Sequence, residues 1–262
     1  MAEGGLGERV ALVTGASRRG GIGAAICRAL AADGADVVFT HWHAYDRAFH
    51  WGADEDGPPT LRSELRGLGI RAEDLEIDLG VPEAAGRVLD AATERLGLPT
   101  ILINNAAHST NGGYEILDAT ALDAHYAVNV RTTALLCAEF ARRHAAAGRT
   151  AGGRIVNLTS GQSRGPMPDE LAYAASKGAV EAFTVSLAPA VARLGITVNA
   201  VNPGPTDSGW MTDEIKATLL PRFPFGRLGQ PADAARLIAF LASDAGAWIT
   251  GQILHSEGGF ER

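Results

Sequence analysis

The stretch Val10–Leu30, VALVTGASRRGGIGAAICRAL, decides the fold. Val10 to Val13 form an apolar run without polar interruption, as expected of a strand covered on both faces. Glycines at 15, 20, 21 and 23 then free the backbone, and Ala24 to Ala32 resumes with apolar residues at helical spacing. Strand, glycine turn and helix in that order aim backbone N–H groups at a point where a pyrophosphate is stabilised by the helix N-terminus. Any strand-to-helix turn rich in glycine looks similar, so the motif takes its weight from standing on the first strand of an alternating chain.

That alternation continues to the end of the sequence. Short Val- and Ile-rich runs recur at Val37–Phe39, Ile101–Ile103, Ile155–Leu158, Ile196–Val201 and Gln252–Leu254, with a weaker one at Leu75–Ile77. Helical spacing fills Glu83–Arg95, Leu122–His144, Tyr173–Arg193 and Ala232–Ala242. Continuous apolar strands separated by helices predict an α/β fold: a Rossmann-type, doubly wound, parallel seven-stranded sheet with helices on both faces. No Pro, Gly and Ser linker divides the chain, so residues 1–262 read as a single domain. Ligands of such sheets bind beyond the carboxyl ends of the strands, where chemistry-bearing residues should collect.

Two segments fit no regular element. Thr40 to Pro59 is too long for an ordinary connection and reads as a functional or oligomer-contacting loop. Pro203 to Gln230 carries Trp210, Met211, Phe223 and Phe225, and its part from about 205 to 230 resembles a substrate lid. Pro189, inside the helix that begins near Tyr173, should kink or break it.

Composition narrows the partners. With 46% hydrophobic and 20% charged residues the chain can fill a core, and a net charge of -7 without a basic block speaks against nucleic acid or an anionic membrane surface. Cys27 and Cys137 lie in apolar helical patterns and read as buried free thiols, and no metal site is expected. The N-terminus shows no basic stretch followed by an apolar core, so a cytoplasmic protein is expected.

At the glycine turn, Gly15, Ser17, Gly21, Ile22 and Gly23 are candidates for cofactor contact. A carboxylate usually ends the second strand of a dinucleotide site and holds the adenosine ribose. Here His41 and Trp42 stand there instead, while Arg18 and Arg19 sit in the turn, where guanidinium groups suit a 2′-phosphate. NADP(H) is therefore expected over NAD(H). Solvated arginines in a glycine loop are the bland alternative.

The ordered set of motifs resembles the short-chain dehydrogenase/reductase family, closest in pattern to the 3-oxoacyl-carrier-protein reductase type. It spans Val10 to Gly259: the turn at Thr14, Asp78 and Leu79, NNAA at Asn104 to Ala107, Asn129, Ser160, YAASK at Tyr173 to Lys177, and NPGPT at Asn202 to Thr206. The resemblance implies hydride transfer between nicotinamide and a carbonyl or alcohol, with Asn129, Ser160, Tyr173 and Lys177 as the catalytic set. It places Asp78 and Leu79 by the adenine, and Asn105, Ala106 and Ala107 on the nicotinamide side. Pro203, Gly204 and Thr206 would face the carboxamide, and Asn129 would hold a water leading from Lys177 to solvent. Assembly as a homotetramer or homodimer is also implied.

The chemistry of the residues agrees. A carbonyl that accepts hydride develops alkoxide character and needs a proton donor, and an unassisted tyrosine has a pKa of about 10. Lys177 lies four residues beyond Tyr173 on the same helical face, where its ammonium should lower that value and could also reach the nicotinamide ribose. Taken singly, a Tyr four residues before a Lys is more often a packing edge with a solvated amine, and a Ser at a strand end is more often a cap. Their joint placement argues otherwise.

Two departures open alternatives. The later glycines fall at Gly21 and Gly23, a longer spacing that is similar to the enoyl reductase branch, whereas the four-residue Tyr–Lys interval is not. An enoyl or imine reductase of the same fold is thus one rival, and a non-catalytic NADP(H)-binding sensor is another. His108, directly after NNAA, stands at the mouth of the expected pocket as a possible substrate contact or an ordinary polar loop residue.

Overall fold

A computed structural model describes residues 5–262, and residues 1–4 of the expected domain lie outside the described residues. Seven strands form one parallel sheet in the order β3-β2-β1-β4-β5-β6-β7. They are β1 Val10–Val13, β2 Asp36–His41, β3 Ala72–Glu76, β4 Ile101–Asn104, β5 Gly153–Leu158, β6 Ile196–Asn202 and β7 Ile253–His255. Nine α-helices accompany them among the described residues: α1 Ile22–Ala32, α2 His43–Arg47, α3 Gly57–Gly67, α4 Ala84–Leu96, α5 Ala119–His125, α6 Thr133–Ala146, α7 Leu171–Val191, α8 Asp213–Leu219 and α9 Pro231–Ala242. None of them is long and apolar enough to cross a membrane.

The strands bury residues alternately to two cores, as a pleated sheet covered on both sides requires. Ala11, Val13, Val37, Phe39, Ile101 and Ile103 pack with Ile26 and Leu30 of α1, Leu61 and Leu65 of α3, and Ile238 and Leu241 of α9. Val10, Leu12, Val38 and Leu102 pack on the other side with Val88 and Leu89 of α4, Leu136 and Phe140 of α6, and Val191 of α7. The predicted doubly wound architecture is the one observed. Cys27 and Cys137 are buried and unpaired, also as expected.

Strand order reverses between β1 and β4, and the chain leaves both strands at the same end of the sheet. That switch point is where an open α/β sheet leaves a crevice.

Four expectations need correction. The segment from Thr40 to Pro59 is not irregular throughout: β2 runs on to His41, α2 follows at once, and α3 begins at Gly57. Its prolines occupy the first turn of α3, where no backbone donor is lost. The weak third strand expected at Leu75–Ile77 begins three residues earlier, at Ala72, and ends at Glu76, because an edge strand outlined by Glu73 and Asp74 carries little apolar signal. Pro189 neither breaks nor ends its helix, which runs through it to Val191. The single helix expected over Leu122–His144 is three pieces, with a π-helical turn, Tyr126–Thr132, between α5 and α6.

Candidate active site

A cleft of about 240 Å³ opens at the β1/β4 switch point. Gly15, Ser17, Arg18, Gly21, Ile22 and Gly23 line one wall, His41 and Trp42 the second, and Asp78, Leu79, Asn105, Ala106 and Ala107 the floor. Thirteen of the residues expected at a cofactor thus share one cavity.

The glycine wall leaves no room for larger residues at two positions. Gly15 has φ of 76°, and a Cβ there would fall 2.6 Å from the Cα of Ala106. A Cβ on Gly23 would lie 2.3 Å from the carbonyl oxygen of Gly15. Asn105 locks the turn by donating from Nδ2 to the carbonyls of Thr14 (2.9 Å) and Gly15 (2.8 Å), while the Thr14 hydroxyl accepts from the backbone of Asn105 and Ala106. The result is a concave backbone surface at the start of α1, the shape and polarity that a pyrophosphate fits.

The arginines of the turn are not free. Arg18 places Nε 3.5 Å from the buried carboxylate of Asp46, donates from Nη1 to the carbonyl of Ser208 and lies over the ring of Trp51. Asp46 itself accepts from Trp51 Nε1. Arg19 bonds Asp54 at 3.0 Å and does not line the cleft. The sequence reading missed Asp46, Asp54 and Tyr45, all from the segment after β2, because nothing local marks them as neighbours of residues some thirty positions earlier.

Pro203, Gly204 and Thr206 also stand outside that cavity. The Thr206 hydroxyl is buried and donates into its own turn, toward the carbonyls of Pro203 and Gly204. Of the bulky residues in the neighbouring segment, Met211 and Phe223 are buried, Phe223 against Phe260, Trp210 is half-buried and Phe225 is exposed.

At the reacting end, Tyr173 and Lys177 project from the first turns of α7, and Ser160 follows β5. Burial holds the Tyr173 phenol well above an ordinary tyrosine, Glu170 adds to the rise, and a hydrogen bond with Ser160 opposes it. Lys177 is 3% exposed and donates from Nζ to the carbonyl of Leu158 at 2.8 Å. Its Nζ lies 5.6 Å from the Tyr173 ring centroid, and burial pushes its pKa down to about 8. The expected lowering of the tyrosine by its lysine is therefore not the balance of this site: desolvation outweighs the ammonium, which is directed at the ring face and a backbone carbonyl.

Asn129 sits in the π-helical turn between α5 and α6, a distortion that often marks functional positions. Its Oδ1 accepts from the backbone of His108 at 2.7 Å, and Nδ2 donates to the His108 carbonyl and to Ser176 Oγ, both at 2.9 Å. Both donors are spent on protein, so Asn129 clamps the loop after β4 against α7. A row of rings leads from the cleft to Tyr173, which like Ser160 and Lys177 does not line it: Tyr45 to His108 at 5.6 Å, His108 to His125 at 4.7 Å and His125 to Tyr173 at 6.3 Å between centroids. His125 was not foreseen. Its Nδ1 lies 2.7 Å from the carbonyl of Ala121 and its Nε2 accepts from Thr110 N, which fixes the ring.

Comparison with known proteins agrees with this geometry. A family model described as Enoyl-(Acyl carrier protein) reductase matches residues 15–261. Uncharacterized oxidoreductase YjdA of Bacillus subtilis (strain 168) is 56% identical over 255 residues, 97% of this chain and 98% of that protein. The NADPH-dependent aldehyde reductase-like protein, chloroplastic, of Arabidopsis thaliana is 36% identical over 262 residues, covering 97% of this chain and 95% of its own. Among solved structures, a short chain dehydrogenase from Burkholderia cenocepacia J2315 in complex with NADP is similar with a TM-score of 0.84 and 36% identity, over 97% of this chain and 98% of that one. A chain matched over nearly its whole length by such relatives belongs to the short-chain dehydrogenase/reductase family of oxidoreductases.

Proposed function

We propose that this protein is an NADPH-dependent reductase of a small-molecule carbonyl, with Tyr173 as the proton donor. The observation that carries the reading is the geometry at Tyr173: its phenol is hydrogen-bonded with Ser160 and its ring lies 5.6 Å from Lys177 Nζ, at the same end of the sheet as the glycine cleft. When bound, the dihydronicotinamide supplies the hydride. The chain's own residues handle charge and proton.

In this reading Ser160 donates to the substrate oxygen and Tyr173 gives its proton to that oxygen as negative charge develops. A phenol held above its usual range is fully protonated at neutral pH, which suits reduction better than the reverse oxidation. The nearby ammonium of Lys177 stabilises the phenolate that remains and is the nearest source of a replacement proton. Asn129 acts by positioning, since it fixes the His108 loop between cleft and α7.

For the cofactor, Gly15, Ser17, Gly21, Ile22 and Gly23 would carry the pyrophosphate, Asp78 and Leu79 the adenine, and Asn105 to Ala107 the nicotinamide side. Pro203, Gly204 and Thr206 would contact the carboxamide, and residues 205–230 would close over substrate. NADPH is preferred here because His41 stands where a ribose-binding carboxylate would, and because relatives named for NADPH or solved with NADP cover this chain end to end. Arg18 lines the cleft and would meet the 2′-phosphate, at the expense of its contact with Asp46.

Reduction of a carbon–carbon double bond is the second reading, favoured by the description of the matching family model and by the longer glycine turn. Cofactor oxidation followed by absorbance over a panel of aldehydes, ketones, imines and α,β-unsaturated carbonyls, with NADPH or NADH, separates these readings. The proposal expects alcohol products and faster turnover with NADPH. Saturated carbonyl products from the unsaturated members alone would overturn it, and binding without any turnover would favour a sensor.

A further inference from the structure

Beside the adenosine end of the cleft, β2, α2 and β3 bring together three groups, of which the reductase reading uses His41 alone. His41 closes β2, His43 opens α2, and Glu76 closes β3, paired in register with His41. One side-chain donor atom from each lies within 4.8 Å of the other two.

The two imidazoles are 6% and 8% exposed, and their centroids are 4.9 Å apart. Each has one nitrogen paired with a carboxylate: His41 Nε2 with Asp74 at 3.0 Å, and His43 Nδ1 with Glu76 at 3.3 Å. The other nitrogen of each, His41 Nδ1 and His43 Nε2, is buried with no hydrogen-bond partner. A buried polar atom without a partner is destabilising, so two on neighbouring rings call for a common explanation. Cofactor contact would explain His41, which lines the cleft, but His43 does not line it.

We propose that His41, His43 and Glu76 form a binding site for a divalent transition ion of the zinc class. Two imidazoles and a carboxylate are a donor set that Zn²⁺ favours, and three protein ligands leave a fourth position for water or an anion. Asp74 supports His41 from behind through Nε2, the carboxylate–histidine arrangement that orients a ligating ring, and is itself held by Arg62. Tetrahedral ligands on zinc lie about 3.4 Å apart, so the three must close slightly. Glu76, with a side chain 54% exposed, is the one free to move. The sequence reading expects no metal here, because the ligands come from two strands and a helix rather than from a spaced motif. The inference stands apart from the reductase reading and fails or holds independently of it.

The test is calorimetric titration of the full chain, free of any histidine tag, with Zn²⁺, and with Co²⁺ as a visible-absorbing substitute. The expected result is one saturable equivalent per chain, lost in His43→Gln and weakened at least about 10-fold in Glu76→Gln, with tetrahedral Co²⁺ absorption in the wild type. Glu76 lies at the rim, so its variant folds even where His43→Gln does not. Imidazole ¹⁵N shifts of the wild type under Zn²⁺ supply a second readout, confined in this account to His41 and His43. Absence of a saturable site, equal binding by both variants, or shifts on other histidines would overturn the proposal.

Discussion

The glycine cleft and the neighbouring Tyr173–Lys177 site settle their charges in opposite ways. At the glycine end every cation met in the turn has a carboxylate: Arg18 faces Asp46 and Arg19 faces Asp54. At the reacting end Lys177 is buried without one, and desolvation alone moves its pKa. A matched pair is settled in the free protein and must open to receive a ligand. An unmatched buried charge is instead held at a cost until a ligand or a reacting oxygen offers it an anion.

Lys177→Met breaks the contrast most severely. Turnover should fall about 1000-fold, read by steady-state NADPH oxidation, because the phenolate loses its cation. The same variant should be more stable than the wild type. Depressing a lysine from 10.5 to about 8 corresponds to roughly 3 kcal/mol of destabilisation. The sign follows from the protons bound: between these values the unfolded chain holds the proton more often, so wild-type stability rises with pH there. The advantage of Lys177→Met should be full below about pH 8 and fade as pH approaches 10.5. Tyr173, raised by burial, acts in the other direction, but only above about pH 10 and in both proteins alike. Denaturant melts at a series of pH values check this, and a pH-independent difference would mean that burial does not depress the lysine's pKa.

At the glycine end the decisive groups are backbone. Gly15→Ala places a methyl group on Ala106 at positive φ, and cofactor affinity should drop about 100-fold, or about 2.7 kcal/mol, by fluorescence titration. Unchanged affinity would remove the cradle from the account. Asp46→Asn is gentler and sharpens the comparison. It frees Arg18 from its counter-charge while Trp51 keeps an acceptor, so the ratio of NADPH to NADH efficiency should rise about 10-fold. A fall in that ratio would show that Asp46 serves the 2′-phosphate end through its charge rather than against it.

The same contrast governs what could be read from sequence. Ser160, Tyr173 and Lys177 follow one strand and open one helix, so the motifs that carry the family resemblance place them close together. Apolar runs gave six strands for the same local reason. Arg18 and Arg19 were equally visible, but their partners Asp46 and Asp54 lie beyond β2, on the five-residue helix α2 and in the turn before α3, where no spacing ties them to the glycine turn. Asn129 was found by motif, yet its hold on His108 depends on a π-helical turn that residue spacing does not announce. The sign of the Tyr173 shift was misjudged because a sequence shows which charges are near but not how much water is excluded.

The central claim is that Tyr173 delivers the proton from within a cofactor site assembled by the rest of the chain. Tyr173→Phe removes one oxygen atom and keeps the ring that packs toward His125. NADPH binding by fluorescence and turnover on the best carbonyl substrate should be measured on the same preparation. The account predicts a dissociation constant within about threefold of the wild type and turnover lower by about 100-fold or more. Turnover near the wild-type rate with intact NADPH binding would contradict it.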